Sequence, residues 1–192
     1  MATCEDSIPL ENLDFCPTDE VSAGVSEVGV FGAAITDFET IEKPEDLETA
    51  TTLESLATVA AAHVFKLDRG FHKIYVNPDS GMVETAQVGE KGNLSFQNSL
   101  TGSLQGTSAK VAGYLRKYKN TPMIFIVREK NGDIKQIGSE LSPAYLSETT
   151  GTSGSKPGDV KATTVKFMDT QNHPAPQYDG TVQEFPAPDP GV

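Results

Sequence analysis

The chain has 192 residues, of which 37% are hydrophobic, and a formal net charge of −12. This length holds one domain comfortably and two poorly, and the modest apolar share predicts that part of the chain lies outside any core. Specific binding to a nucleic-acid backbone is disfavoured, because phosphate affinity needs clustered Lys and Arg.

The charge is unevenly placed. Residues 1–60 carry fourteen acids against one base, Lys43; residues 61–140 carry seven acids and eleven bases; residues 141–192 carry six acids and three bases. An acidic first third beside a basic middle is self-complementary, and it also serves as an ordinary solvated surface. Cys4 and Cys16 lack metal-ligand spacing and would close only a short loop as a disulfide, so two reduced thiols are expected. The start has no basic or apolar region of a signal peptide, and the best apolar run, residues 56–64, is too short to span a membrane. Cytoplasmic synthesis is the expectation, which makes Asn93-Leu94-Ser95 a chance sequon.

Residues 1–26 are acidic, with Ile8, Leu10, Leu13 and Phe15 at irregular spacing, and read as an extended arm. Residues 27–41 read as a first strand whose Gly29 and Gly32 mark a bulge or a close backbone approach. In residues 44–60, Pro44-Glu45-Asp46 resembles a helix start, but the threonines weaken a helix; a loop with one short helical piece is predicted. Residues 63–67 and 71–76 are strands by their β-branched and aromatic content. Asn77-Pro78-Asp79-Ser80-Gly81 is a turn, and 82–89 is expected to pair back on 71–76.

From Asn93 the alternation is strict. Leu94, Phe96, Asn98, Leu100, Gly102 and Leu104 share one face, and Ser, Gln and Thr occupy the other, as in a long strand with one buried side. Residues 107–119 form the helix, capped by Gly106-Thr107-Ser108, with Val111, Leu115 and Tyr118 on its apolar face. Residues 123–129 are almost continuously apolar. Asn131-Gly132 predicts a type I′ hairpin turn returning through 133–138. Residues 147–158 read as a flexible loop and 160–168 as a last strand. Five of the twelve prolines then fall in residues 174–190, which reads as an extended tail without its own core. The fold class is mainly β: a sandwich or barrel of two packed sheets with one covering helix. The expected division is an acidic arm (1–26), a sandwich domain (27–169) and a Pro-rich tail (170–192).

The templates for chemistry go unfilled. Lys156 is followed by Pro157, which breaks a phosphate-binding loop, and the glycines at 24, 29 and 32 do not fit a dinucleotide fingerprint. His63, His72 and His173 are far apart, and His72 reads as a strand-face residue. Asp37 and Glu39 share a strand face like many solvated carboxylate pairs. No catalytic residue, metal or cofactor is expected.

One resemblance spans about residues 28–182. Phe71-His72-Lys73-Ile74-Tyr75-Val76, Val88-Gly89-Glu90 and Leu94-Ser95-Phe96-Gln97-Asn98-Ser99-Leu100 are similar to tail tube proteins of long-tailed bacteriophages. So are Asn120-Thr121-Pro122-Met123-Ile124-Phe125-Ile126-Val127, Asn131-Gly132, Ile137-Gly138-Ser139, Thr152-Ser153-Gly154, and Ala175-Pro176 with Tyr178. The resemblance implies a helix-flanked sandwich, six copies per ring, and stacked rings whose inner strands join into one β-barrel around a DNA channel. The implied partners are further copies of the chain, tail-completion and tape-measure-type proteins, and DNA in non-specific passage; the implied location is the virion tail. Lys110, Arg116, Lys117 and Lys119 are the candidate inter-subunit contacts, and Glu84 and Glu90 the candidate lumen residues. The acidic extension and the Pro-rich tail depart from the family pattern, so a ring or connector at the neck or tail end stays open beside the main tube subunit. The alternative of a different class is a secreted β-sandwich adhesin or ligand-binding module, against which the missing signal peptide counts.

Overall fold

A computed structural model describes residues 8, 13 and 22–185. The predicted acidic arm falls mostly outside them, as do Cys4 and Cys16. The strands are β1 (Val25–Ala34), β2 (Phe38–Thr40), β3 (Thr58–Val59), β4 (Val64–Phe65), β5 (His72–Ile74), β6 (Met82–Glu90) and β7 (Asn93–Gln105). The helix α1 (Ala109–Tyr118) follows, then β8 (Met123–Glu129), β9 (Ile134–Ile137), β10 (Tyr145–Thr152), β11 (Ala162–Gln171) and β12 (Gln177–Tyr178). They form a six-stranded sheet ordered β3-β12-β9-β8-β1-β5, a four-stranded sheet ordered β10-β11-β7-β6, and a small β2-β4 ladder. Among the described residues the chain adopts the expected mainly β fold with one α-helix. No helix among the described residues is long and apolar enough to cross a membrane.

Two apolar clusters sandwich the six-stranded sheet. Met123, Phe125, Val127, Val30 and Ile137 face Leu100, Leu104, Val165 and Phe167 of the four-stranded sheet, and α1 adds Val111, Tyr114, Leu115 and Tyr118. Ile124, Ile126, Phe31 and Ala33 face the other way, onto Phe38, Val59, Phe65, Phe71 and Tyr178. Strand β8 is therefore buried on both sides, which is why residues 123–127 read as a continuous apolar run. Gly29 and Gly32 mark the close approaches expected of them. A Cβ on Gly29 would lie 2.8 Å from Arg128 Cβ, and one on Gly32 would lie 2.9 Å from the Phe125 ring, and the β1–β8 register shifts between Val25 and Val30.

The structure corrects the sequence reading at several points. The first strand ends at Ala34 in a 3-10 turn over Ile35–Asp37 before β2. The short helical piece in residues 44–60 is the 3-10 turn Ser55–Ala57. Strand β6 does not pair with β5. It pairs with β7, while β5 pairs with β1. The Asn77–Gly81 turn carries the chain between sheets: Val76 N–H donates to Glu27 O at one end, and Asn77 N–H to Ser103 O at the next residue. Gly132 alone takes positive φ at the Asn131-Gly132 turn, with Gly132 N–H donating to Glu129 O, so the turn is not type I′.

Residues 145–152, expected to be mostly loop, are β10, because Thr149, Thr150 and Thr152 favour the extended chain and pair with Val165, Thr164 and Ala162. The tail beginning at residue 170 is no free arm over its described part. β12 pairs with β3 and β9, Tyr178 is 1% exposed, and Phe185 N–H donates to Phe71 O.

Candidate assembly surface

The four-stranded sheet offers one coherent outward surface. Cross-strand partners share a face, so the register sorts its residues. Val83, Leu100, Phe167 and Leu146 stand in one row toward the core, as do Leu104 with Thr163 and Gly102 with Val165. The other face points away from the six-stranded sheet. On β7 it carries Ser95, Gln97, Ser99, Thr101 and Ser103; on β11, Thr164, Lys166, Met168 and Thr170; on β10, Tyr145, Glu148, Thr150 and Thr152. Met82, Glu84, Ala86, Val88 and Glu90 complete it from β6. It is a hydroxyl-rich wall with three carboxylates and one base, and Lys166 Nζ lies 3.8 Å from Glu84.

Both margins of this sheet are long and unpaired among the described residues. β6 has nine residues and β10 has eight, and each pairs on one side only. All three internal pairings are antiparallel, so β6 and β10 run in opposite directions. A copy rotated about an axis along the strands would bring its β6 antiparallel to this β10. Such edges are templates for further pairing. A bulge at Ser147, between the pairs of Leu146 and Glu148, twists the start of the β10 margin.

Glu84 and Glu90, singled out from sequence, thus share the outward wall. Glu148 joins them and was missed, because its segment read as loop. Lys110, Arg116 and Lys117 on α1 and Lys119 at its C-cap are exposed, away from that wall, and none joins an ion pair among the described residues. Ser108 Oγ caps the helix by accepting from Val111 N–H at 3.4 Å. Beneath α1, His72 Nε2 lies 3.3 Å from the Tyr114 hydroxyl, and its ring stacks on Tyr118. Burial and then the Lys117 charge lower the His72 pKa to about 4, with Asp37 opposing, and burial raises that of Tyr114.

A polar network fixes the sheet from behind. Thr85 Oγ1 donates to Asn98 Oδ1 at 2.8 Å, and Asn98 Nδ2 donates to Asp169 Oδ1 at 2.9 Å. Asp169 Oδ2 accepts from Gln171 Nε2 at 2.8 Å and from the Gly138 backbone N–H. Burial raises the Asp169 pKa against the pull of these bonds. The sequence held a signal for the network: Asn98 interrupts an apolar face, and Asp169 continues the Val165, Phe167 alternation. On the far side of the six-stranded sheet, His63 is neutral and buried. Its Nδ1 accepts from Glu42 N–H at 3.0 Å, which leaves the proton on Nε2, 3.1 Å from Gln136 Oε1.

No three His, Cys, Asp or Glu among the described residues are placed to hold a metal ion. Comparison with protein-family models, with curated proteins and with solved structures gives no match.

Proposed function

We propose that the protein is a structural subunit that assembles with copies of itself into closed rings, stacked as the tail tube of a long-tailed bacteriophage, a conduit for DNA. The observation that carries the reading is the four-stranded sheet. Among the described residues it has two free antiparallel margins on opposite sides and an outward wall rich in Ser and Thr, with Glu84, Glu90 and Glu148.

Joining β10 of one copy to β6 of the next removes both edges and makes one antiparallel barrel. Such a contact is heterologous, and rotation closes it into a ring. With the six copies implied by the resemblance, four strands each give 24 in the barrel. At about 4.8 Å between strands the circle is about 115 Å around and about 37 Å across before tilt widens it. Side chains reaching about 5 Å inward from each wall still leave a bore of about 27 Å, through which a duplex can thread. A wall poor in Lys and Arg suits passage, because each neutralised phosphate would release counterions and hold the duplex. Tail-completion proteins and a tape-measure-type protein are the further partners in this reading, and the virion tail is its location.

Electron microscopy of the purified chain tests it. Rings or tubes with an open bore are the expected image. A monodisperse monomer at every concentration and salt, or rings without a bore, would overturn the reading.

A further inference from the structure

A cavity of about 170 Å³ lies against residues 35–41, lined by Ile35, Phe38 and Ile41 with Thr40, Glu39 and Glu140. Its lining joins three apolar side chains to two exposed carboxylates, and neither Glu39 nor Glu140 has an ion-pair partner among the described residues. An apolar pocket with carboxylates at its rim fits a side chain with an aliphatic stem and a cationic tip, which is Lys or Arg. Nearby Lys43 is already engaged with Asp46 at 2.7 Å.

The complementary feature stands elsewhere on the same subunit. Helix α1 carries Lys110, Arg116 and Lys117, Lys119 is its C-cap, and residues 106–122 contain no acid. Its last turn and the cavity lie at the same end of the six-stranded sheet, since Ile35 N–H donates to Pro122 O at 3.0 Å and Ala34 pairs with Met123. Across the sheet, five of the six lining residues follow β1, beside the edge strand β5, and Glu140 alone comes from the far side. α1 packs on His72 of the edge strand β5, and Glu140 follows β9, beyond β8 and β1. An acid-rimmed cavity and a basic last turn exposed at the same end of the subunit are complementary in charge, which suits a contact between copies.

We infer that the cavity receives a basic side chain from the last turn of α1, residues 116–119, of a neighbouring copy. This rests on the self-assembly reading and refines it by naming both halves of one contact.

The test uses charge reversal in the full chain. One variant carries Glu39→Lys and Glu140→Lys, a second carries Arg116→Glu and Lys119→Glu, and a third carries all four changes. Each is first shown to melt like the parent, and assembly is then followed by light scattering and electron microscopy at low salt, where exposed charges act most strongly. The first two variants should assemble at least tenfold more weakly than the parent. The fourfold variant, and an equimolar mixture of the first two, should recover assembly, because every pocket then meets a last turn, residues 116–119, of opposite sign. A parent that assembles while the Glu39→Lys, Glu140→Lys variant assembles equally well overturns the pocket contact and leaves the ring reading standing. Weakening without recovery in the fourfold variant also overturns the pairing. A parent that never assembles removes the self-assembly reading itself.

Discussion

The Asp169 carboxylate accepts a hydrogen bond from the backbone N–H of Gly138, and this bond ties the four-stranded sheet to the end of β9 in the six-stranded one. Gly138 sits at φ +92°, and a Cβ there would lie 2.7 Å from Met123 O, so the backbone is held where only glycine fits.

Replacing Asp169 with Ala strands two buried donors, Gly138 N–H and Gln171 Nε2, and leaves Asn98 Nδ2 only the His173 carbonyl at 3.5 Å. A loss of about 3 kcal/mol or more in unfolding free energy is expected, read as a lower denaturant midpoint at unchanged slope. Asp169→Asn keeps one acceptor and should lose less. An Ala variant as stable as the parent would show that the staple carries no weight.

Stability should fall in mild acid. His63 and His72 have pKa values lowered from 6.5 to about 4, both chiefly by burial. As pH falls the unfolded chain takes up these protons first. Each histidine therefore contributes stability that is complete above its unfolded pKa and lost as pH drops toward its folded one. The full shift amounts to about 3 kcal/mol per histidine. Asp169, with its pKa raised, acts in the opposite sense and offsets part of the loss. Urea melts at about pH 7.5 and about pH 5 should show the difference, and His63→Gln with His72→Gln should flatten it.

Proline scanning along β10 separates folding from assembly. Backbone N–H groups of an edge strand point alternately toward β11 and away from it. Among positions 148–152, proline at one parity should leave the melt intact and block ring formation. Proline at the other parity should break the β10–β11 ladder and lower the melting temperature. Assembly that tolerates proline at every position would exclude this margin from the contact.

Reversing the wall should turn a conduit into a trap. Glu84→Lys with Glu148→Lys replaces two carboxylates by two bases per copy on the outward face. Assembled variant should bind duplex DNA, with an affinity that falls steeply with salt, and assembled parent should not. Parent and variant binding DNA alike would place these residues off the bore.

The helix, the long alternating β7 and the doubly buried β8 were legible because each rests on a local period. The apolar spacing of Val111, Leu115 and Tyr118 and the alternation from Asn98 to Leu104 need no knowledge of the partner. Pairing was less legible. Residues 71–76 and 82–89 flank a good turn, yet each pairs with a different sheet, because the Asn77 and Val76 amides are taken by Ser103 and Glu27. Strand β10 was hidden by Gly151 and Ser147 at its ends. The prolines at 174 and 176 suggested a loose tail, although Tyr178 just beyond them fills the second core. Of the proposed surface, Glu84 and Glu90 were found and Glu148 was not. The neutral His63 could not be read at all, since its partners lie 21 and 73 residues away.

β12 lies between β3 and β9, and its parallel partner Val59 precedes Tyr178 by 119 residues. On a ribosome adding about 5–20 residues per second, β3 waits about 6–24 s for that partner to be made. The strands of the four-stranded sheet, which end at Gln171, are all synthesised earlier. Gln171 precedes Tyr178 by seven residues, so the surface proposed to join copies is synthesised about 0.4–1.4 s before the opposite flank can close. If copies join through this sheet, slow elongation would lengthen the time in which nascent chains on one messenger present matching margins to each other while still incomplete. Pairing between such neighbours would trap unfinished subunits, so the timing of β12 closure bears directly on the yield of correct assembly.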